Sequence, residues 1–500
     1  MHIYTIVSFL LAALPLIDGA AIPVVDENCD LSVVTITRRQ LVPYVYETPS
    51  PVPTTSATYQ ADVSVDVPVT SSTIAPSTYV PPANISKDDG FTGFRSIGYF
   101  ADWDIYDRKF YPNMLHAEQF THILLCFLVI DPTTGEVVML DGPGDTQVNL
   151  EQGTTDWGTG ATEGTVKGMV GELFKMKQEY RNLKTMLSVG GWTASSDGKF
   201  NKALSTPESR ALFASSAVKF VNDFGMDGLD VDWEYPDTLE DGENLADLLR
   251  RCREELDKLG PGFELSIAAP CGPKKIDNLP LKEIDESLDF WNLMAYDFAG
   301  PGFSKATGHM SNFYPSTENP DSTEFSYVAA LDKYLAAGIN PRKLITGMPL
   351  YGRGFATTDG LGQPFSGAPS GDWEHGVYDY KNLPMNPEDK IFEDEELLAS
   401  GSYNPDTRVL VSYDTPRMAQ LKAQFIMDHG LGGAFWWEVS GDKQDVETNL
   451  VQNVLQTFGG ASALQKKEGH LEYPNSKYSN IRVWNGTLVA WNRPSFETSS

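Results

Sequence analysis

The sequence predicts an α/β protein: a closed (β/α)8 barrel, a TIM barrel, with a small α+β insertion domain between strand seven and the eighth helix and strand. Three observations carry this. From about Phe94, short apolar runs alternate with amphipathic stretches that end on glycine, a pattern that argues for parallel strands joined by helices. The apolar runs number eight, which suits a closed barrel. After the seventh run a surplus of chain, about residues 352–415, carries strand-like runs of its own.

In chain order, residues 3–17 form an apolar run followed by Gly19-Ala20-Ala21. The run is too short to span a bilayer and resembles a secretory signal, with His2 its only near-basic leading residue. Residues 1–21 are therefore expected to be a signal peptide, and 22–39 a candidate propeptide ending at Arg38-Arg39. The stretch 41–82 has eight prolines, many Ser and Thr, and no glycine. It has neither helical nor strand periodicity, so 40–90 reads as an extended linker open to O-glycosylation. Asn84-Ile85-Ser86 and Asn485-Gly486-Thr487 fit the N-glycosylation pattern.

The expected barrel occupies 91–460. Its strands are predicted at 96–100, 122–130, 184–189, 226–234, 264–269, 290–296, 344–350 and 432–437. The helix after Ser205 opens on Ser-Thr-Pro-Glu, a capping-box pattern with an early proline, and stops at Gly225. Gly260, Gly338 and Gly430 end further helices by the same device. The insertion has runs at 376–380 and 408–413 and stands where it would form one wall of a groove. The tail, 461–500, carries Tyr473, Tyr478, Trp484 and Trp491 without the cysteine spacing of small sugar-binding modules, so packing against the barrel is expected.

Composition narrows the function. A net charge of −30 over 500 residues argues against nucleic-acid binding. After the leader no stretch reaches the roughly 18 apolar residues of a membrane span, so a secreted, extracellular monomer without membrane contacts is expected. The four cysteines are scattered; Cys126 and Cys252 read as core thiols, and one disulfide stays open. The seven histidines show no HxxxH spacing, and neither metal nor cofactor is expected.

The chemistry gathers in Met226-Asp-Gly-Leu-Asp-Val-Asp-Trp-Glu-Tyr235. On a strand, Asp230, Asp232 and Glu234 share one face while Leu229, Val231 and Trp233 share the other. Crowded carboxylates on a buried face repel and lose solvation, which raises their pKa values and suits an acid that keeps its proton near neutrality. Barrel active sites lie at the C-terminal strand ends. There stand Glu234, Ser188-Val-Gly-Gly191, Met294-Ala-Tyr-Asp297, Tyr351-Gly-Arg353, and Trp436-Trp437 with Glu438. Carboxylates, a tyrosine hydroxyl and tryptophan rings together suit sugar recognition. A conventional retaining glycosidase needs a second carboxylate as nucleophile. Strand seven offers none and Asp232 is crowded by Asp230, so Asp297 is the remaining candidate and the standard mechanism stays open.

These motifs resemble those of glycoside hydrolase family 18, in its secreted fungal chitinases. Asp227-Gly-Leu-Asp230-Val-Asp232-Trp-Glu234 resembles the DxxDxDxE signature, Ser188-Val-Gly-Gly191 the SxGG motif, and Met294-Ala-Tyr296-Asp297 the MxYD motif. Residues 432–438 are similar to the strand-eight segment whose tryptophan floors the central sugar site, although Phe435 and Trp436 replace its usual Met-Phe pair. Residues 99–103 and 121–124 are similar to the family's first two strands. The likeness covers about 94–460.

The resemblance implies hydrolysis of β-1,4-linked N-acetylglucosamine in chitin and chito-oligosaccharides, with the substrate's acetamido oxygen as nucleophile. Glu234 would be the general acid and base. Asp232 would orient the acetamide and stabilise the oxazolinium, and Asp230 would share a proton with Asp232. Tyr296 would bind the acetamido oxygen, with Asp297 in the same subsite. Trp437 and Met294 would contact the central sugar; Tyr351, Arg353, Trp192 and Trp103 would line further subsites, with Tyr99 and Glu438 nearby. Two other functions are consistent with the same barrel: a chitin-binding lectin, and an endo-β-N-acetylglucosaminidase acting on N-glycans. The presence of Glu234 disfavours the lectin, and the insertion wall favours a deep chitin groove.

Overall fold

The computed structural model describes residues 22–25, 31–34, 92–150, 153–156 and 160–482. The expected signal peptide, Arg38-Arg39, the whole linker, both sequons, Trp484 and Trp491 lie outside them. The chain divides into two units, 1–77 and 78–500. In the first, Ile22–Val25 pairs antiparallel with Leu31–Val34.

The second unit contains the barrel. Its strands are β1 (Arg95–Ala101), β2 (His122–Ile130), β3 (Lys184–Gly190), β4 (Gly228–Asp232), β5 (Glu264–Ala269), β6 (Phe290–Leu293), β7 (Leu344–Pro349) and β8 (Gly433–Trp437). Each pairs in parallel with its sequence neighbour, and β8 pairs with β1 to close the ring. The predicted eight-stranded barrel is therefore the observed one. β4 and β6 are shorter than the apolar runs that announce them; Glu234 and residues 294–297 lie past the last ladder residues, where they form the site.

The longer helices of the barrel are α1 (Gly168–Glu179), α2 (Pro207–Phe224), α3 (Leu239–Asp257), α4 (Tyr327–Ala336), α5 (Pro416–Asp428) and α6 (Leu450–Phe458). Strict alternation fails twice. Only 3-10 turns join β1 to β2, and only two short helices, Pro273–Ile276 and Leu281–Asp285, follow β5. Prolines 112, 273 and 280 punctuate these connections and deny a long helix its backbone donors. α2 is capped by Thr206, one residue past the Ser205 that the capping-box pattern designates, with Pro207 at its first position, and it ends as expected on left-handed Gly225. The Thr206 hydroxyl accepts from Ser209 N rather than reciprocating with Glu208.

Strand parity separates two cores. Leu229, Val231 and Trp233 point outward into the layer between strands and helices. Tyr99, Cys126, Phe127, Met294 and Phe435 point inward into the barrel. Cys126, Cys252 and Cys271 are buried free thiols. No described helix is long and apolar enough to cross a membrane.

The insertion between β7 and α5 is a five-stranded antiparallel sheet. It runs, edge to edge, Val377–Asp379, Tyr351–Phe355, Val409–Ser412, Ala399–Asn404, Lys390–Asp394. Its helical content is one 3-10 turn, Tyr380–Asn382. At the opposite end of the barrel, part of the tail packs down. Leu464 bridges to Phe94, and Tyr473 is buried with its hydroxyl on Met226 O at 3.0 Å.

Candidate active site

The floor of the site is Asp230. β4 lies between β3 and β5 in a register that sets Ser188 and Ser266 on either side of it. Ser188 donates to its Oδ2 at 2.7 Å and Ser266 to its Oδ1 at 2.6 Å. Tyr99, from across the barrel, donates to Oδ2 at 3.0 Å, and Asn292 of β6 to Oδ1 at 3.4 Å. Burial raises the Asp230 pKa while these four bonds oppose it.

Two residues on, Asp232 has none of this help. Its Oδ1 is buried without a hydrogen-bond partner. Burial, then the charges of Glu234 and Asp230, push it well above the usual carboxylate range. The strand can bend close here because β3 ends on glycine. A Cβ at Gly190, whose φ is +130°, would stand 2.0 Å from Asp232 O. Ser195, in the turn after β3, accepts from Glu234 N at 2.9 Å and so fixes where β4 ends.

Glu234 stands past the last ladder bond, partly open. Burial pushes it up to about 7; a hydrogen bond from Tyr235 acts against the shift and the Asp297 charge adds to it. Such a carboxyl holds its proton near neutral pH. Tyr296 faces the same space, its hydroxyl kept protonated by burial and then by Tyr351, Asp232 and Glu234. The peptide bonds after Cys126, Glu234 and Trp437 are cis.

Asp297 is not free. Arg353 binds it through Nε to Oδ1 at 2.8 Å and Nη2 to Oδ2 at 2.7 Å, and Tyr351 donates to Oδ1 at 2.5 Å. Its backbone is left-handed, with φ of 58°, a conformation aspartate tolerates. Trp437 packs among aromatic rings, 5.7 Å from Tyr99 and from Phe127 and 6.4 Å from Trp103 between centroids. Trp103 and Trp192 are exposed at 37% and 64%, leaving flat apolar faces for a ligand. Met294 is buried in the inner core beside these rings. Among the described residues no group of His, Cys, Asp and Glu is arranged to hold a metal ion.

A family model, glycosyl hydrolases family 18, matches residues 95–442. The chain belongs to that family. Chitinase 1 of Aphanocladium album is 39% identical over 78% of this chain and 91% of its own length. Endochitinase 1 of Metarhizium robertsii is 38% identical over 85% and 96%. Among solved structures, the catalytic domain of the psychrophilic chitinase B from Arthrobacter TAD20 superposes with a TM-score of 0.67 at 28% identity. It covers 76% of this chain and 99% of that one.

Within this family 18 barrel, two signature residues lie away from the carboxylate row. Asp227 sits at the N-terminal end of β4, buried, gripping Lys177 at 2.9 Å and Thr185 N at 2.9 Å and accepting from His470 N at 2.5 Å. Glu438 caps the turn Val439–Gly441 by accepting from Ser440 N at 2.7 Å, and it pairs with Arg108 at 3.1 Å. Arg108 also holds Asp379 at 2.8 Å and lies over the Trp373 ring, joining the insertion to the loop after β1. Ser266, Asn292, Ser195, Tyr235 and Arg108 were not singled out from the sequence. Ser266 and Asn292 left a trace there, in sharing the inward parity of their strands.

Proposed function

We propose that the protein is a secreted chitinase that cleaves β-1,4 links between N-acetylglucosamine units with retention, through an oxazolinium intermediate. One observation carries the reading: Glu234 holds a proton near neutral pH beside Asp232, while Asp297, the other candidate nucleophile, is committed to Arg353 and Tyr351. Glu234 protonates the glycosidic oxygen as the acetamido oxygen attacks C1 and the leaving sugar departs as an alcohol. Asp232 accepts from the acetamide N–H and stabilises the positive ring, and Tyr296 donates to the acetamido oxygen. Glu234, now a carboxylate, takes a proton from the water that opens the ring at C1. Trp437 supplies the apolar floor under the distorted sugar.

Glu234→Gln is the test. It keeps the shape and removes the proton, so turnover of a chitobiose-based fluorogenic substrate is expected to vanish while chito-oligosaccharide binding stays measurable. Unchanged turnover would sink the assignment. A digest of chitin oligomers beside a high-mannose glycoprotein, with release from the oligomers alone expected, separates it from an N-glycan endoglycosidase.

A further inference from the structure

Asp104 and Glu438 each stand one residue past a tryptophan of the sugar site. The rings of those tryptophans, Trp103 and Trp437, lie edge to face with centroids 6.4 Å apart. Each ring is therefore followed directly by a buried carboxyl. We infer that Asp104 is a positioning residue that shares one proton with Glu438, and that this proton locks the two rings into a single sugar-binding platform. The role of the platform rests on the chitinase reading.

The hydrogen bonds require the proton. Asp104 is fully buried in the turn Asp102–Ile105, where its Oδ2 accepts from Ala101 N at 3.3 Å and closes the turn on β1. Its Oδ1 receives no hydrogen from an N–H or a hydroxyl. The side chain is nonetheless hydrogen-bonded to Glu438. Two carboxylates offer only acceptors, so one of the pair is protonated. Glu438 is well supplied as an anion. Its Oε2 accepts from Ser440 N at 2.7 Å, and its Oε1 takes the Ser440 hydroxyl at 2.6 Å and Arg108 Nη1 at 3.1 Å. The proton therefore sits on Asp104 and is donated to Glu438.

The surrounding charges agree. Arg108 is the hub, with Nε 3.6 Å from Asp104 Oδ1 and Nη1 2.8 Å from Asp379 Oδ1. Lys381 of the insertion brings a second cation, 3.2 Å from Asp379 Oδ2. Three carboxyls meet two cations, and one proton balances them. From β2 comes the Cys126 thiol, kept protonated by burial and then by Asp102 and Asp104. Burial, then the Glu438 charge, push the Asp104 carboxyl well above the usual carboxylate range, with Arg108 acting against them. Without the proton, two buried carboxylates would repel where the loop after β1 meets the turn after β8. Trp103 and Trp437 ride on those two segments.

Two variants separate the proton from the shape. Asp104→Asn keeps a donor toward Glu438 and cannot ionise; Asp104→Leu has a similar volume and no donor. In infrared spectra at pH 7, wild type minus Asp104→Asn is expected to show a protonated-carboxyl carbonyl band that shifts in heavy water. A carboxylate band in its place would overturn the proposal. Chitotetraose binding, followed by tryptophan fluorescence in a Glu234→Gln background that prevents turnover, reads the platform. Asp104→Leu is expected to bind about tenfold more weakly, and Asp104→Asn as its parent does. Equal affinity for the two variants would leave the proton without a positioning role and overturn the proposal. Asp104→Ala, which also lacks the donor, replaces Asp104→Leu should that chain not fold. A folded Glu234→Gln parent that binds no chitotetraose would overturn the chitinase reading instead and leave the infrared result standing.

Discussion

Arg353 grips Asp297 by two parallel bonds, Nε to Oδ1 at 2.8 Å and Nη2 to Oδ2 at 2.7 Å. The pair spans the end of β6 and the first strand of the insertion, so the inserted sheet reaches into the carboxylate cluster. A carboxylate in a bidentate fork has its lone pairs directed at the guanidinium. That is a poor starting point for attack on a sugar carbon.

Asp297→Ala is accordingly expected to behave as the loss of a positioning group. Turnover should fall by about 100-fold through misplacement of substrate, and added azide should not restore it. Recovery of activity with formation of a glycosyl azide of inverted anomeric configuration would identify Asp297 as the nucleophile after all.

Glu234 carries a pH signature in stability as well as in rate. Its folded pKa is raised from 4.5 to about 7, so the folded state favours the protonated form. That contribution is fully present below about pH 4.5 and is lost as pH rises through 7. Glu234→Gln should thus raise stability at pH 8 by about 1–2 kcal/mol after allowing for the partly open side chain, read as a higher melting temperature, and leave it unchanged at pH 4. Hydrolysis by the wild type should decline above pH 7 as the acid ionises. Equal melting temperatures for variant and wild type at pH 8 would contradict the buried, protonated carboxyl.

Asp227 belongs to the same signature but serves the other end of the barrel. Removing it strands the fully buried Lys177, whose ammonium it holds at 2.9 Å. Asp227→Ala should cost about 3–5 kcal/mol, while the folded fraction keeps its kcat and its pH profile. Chemical denaturation and active-site titration measure the two separately, and a changed pH profile would place Asp227 in the chemistry.

Much of the site was legible because strand parity is local. Once 226–234 is read as a strand, Asp230, Asp232 and Glu234 must share a face. The structure adds that this face is the barrel interior. The roles of Asp297 and Glu438 were not legible in the same way. Nothing near Asp297 in sequence announces Arg353, and Glu438 turns out to serve Ser440 and Arg108. Ser266 and Asn292 escaped notice because polar residues in strands are common and their meaning depends on register. The missing helices after β1 and β5 follow from prolines that were visible yet outweighed by the regular spacing of the strands.

The sequence by itself determined the strand count, the crowding of the carboxylates and the inserted segment, since each depends on periodicity or composition along the chain. Only the tertiary structure decided which carboxylate receives donors, which is held by arginine and which keeps a proton. Those outcomes depend on hydrogen bonds and charges a few ångströms apart between residues tens to hundreds of positions distant, and at that range partner and burial, not residue type, set the chemistry.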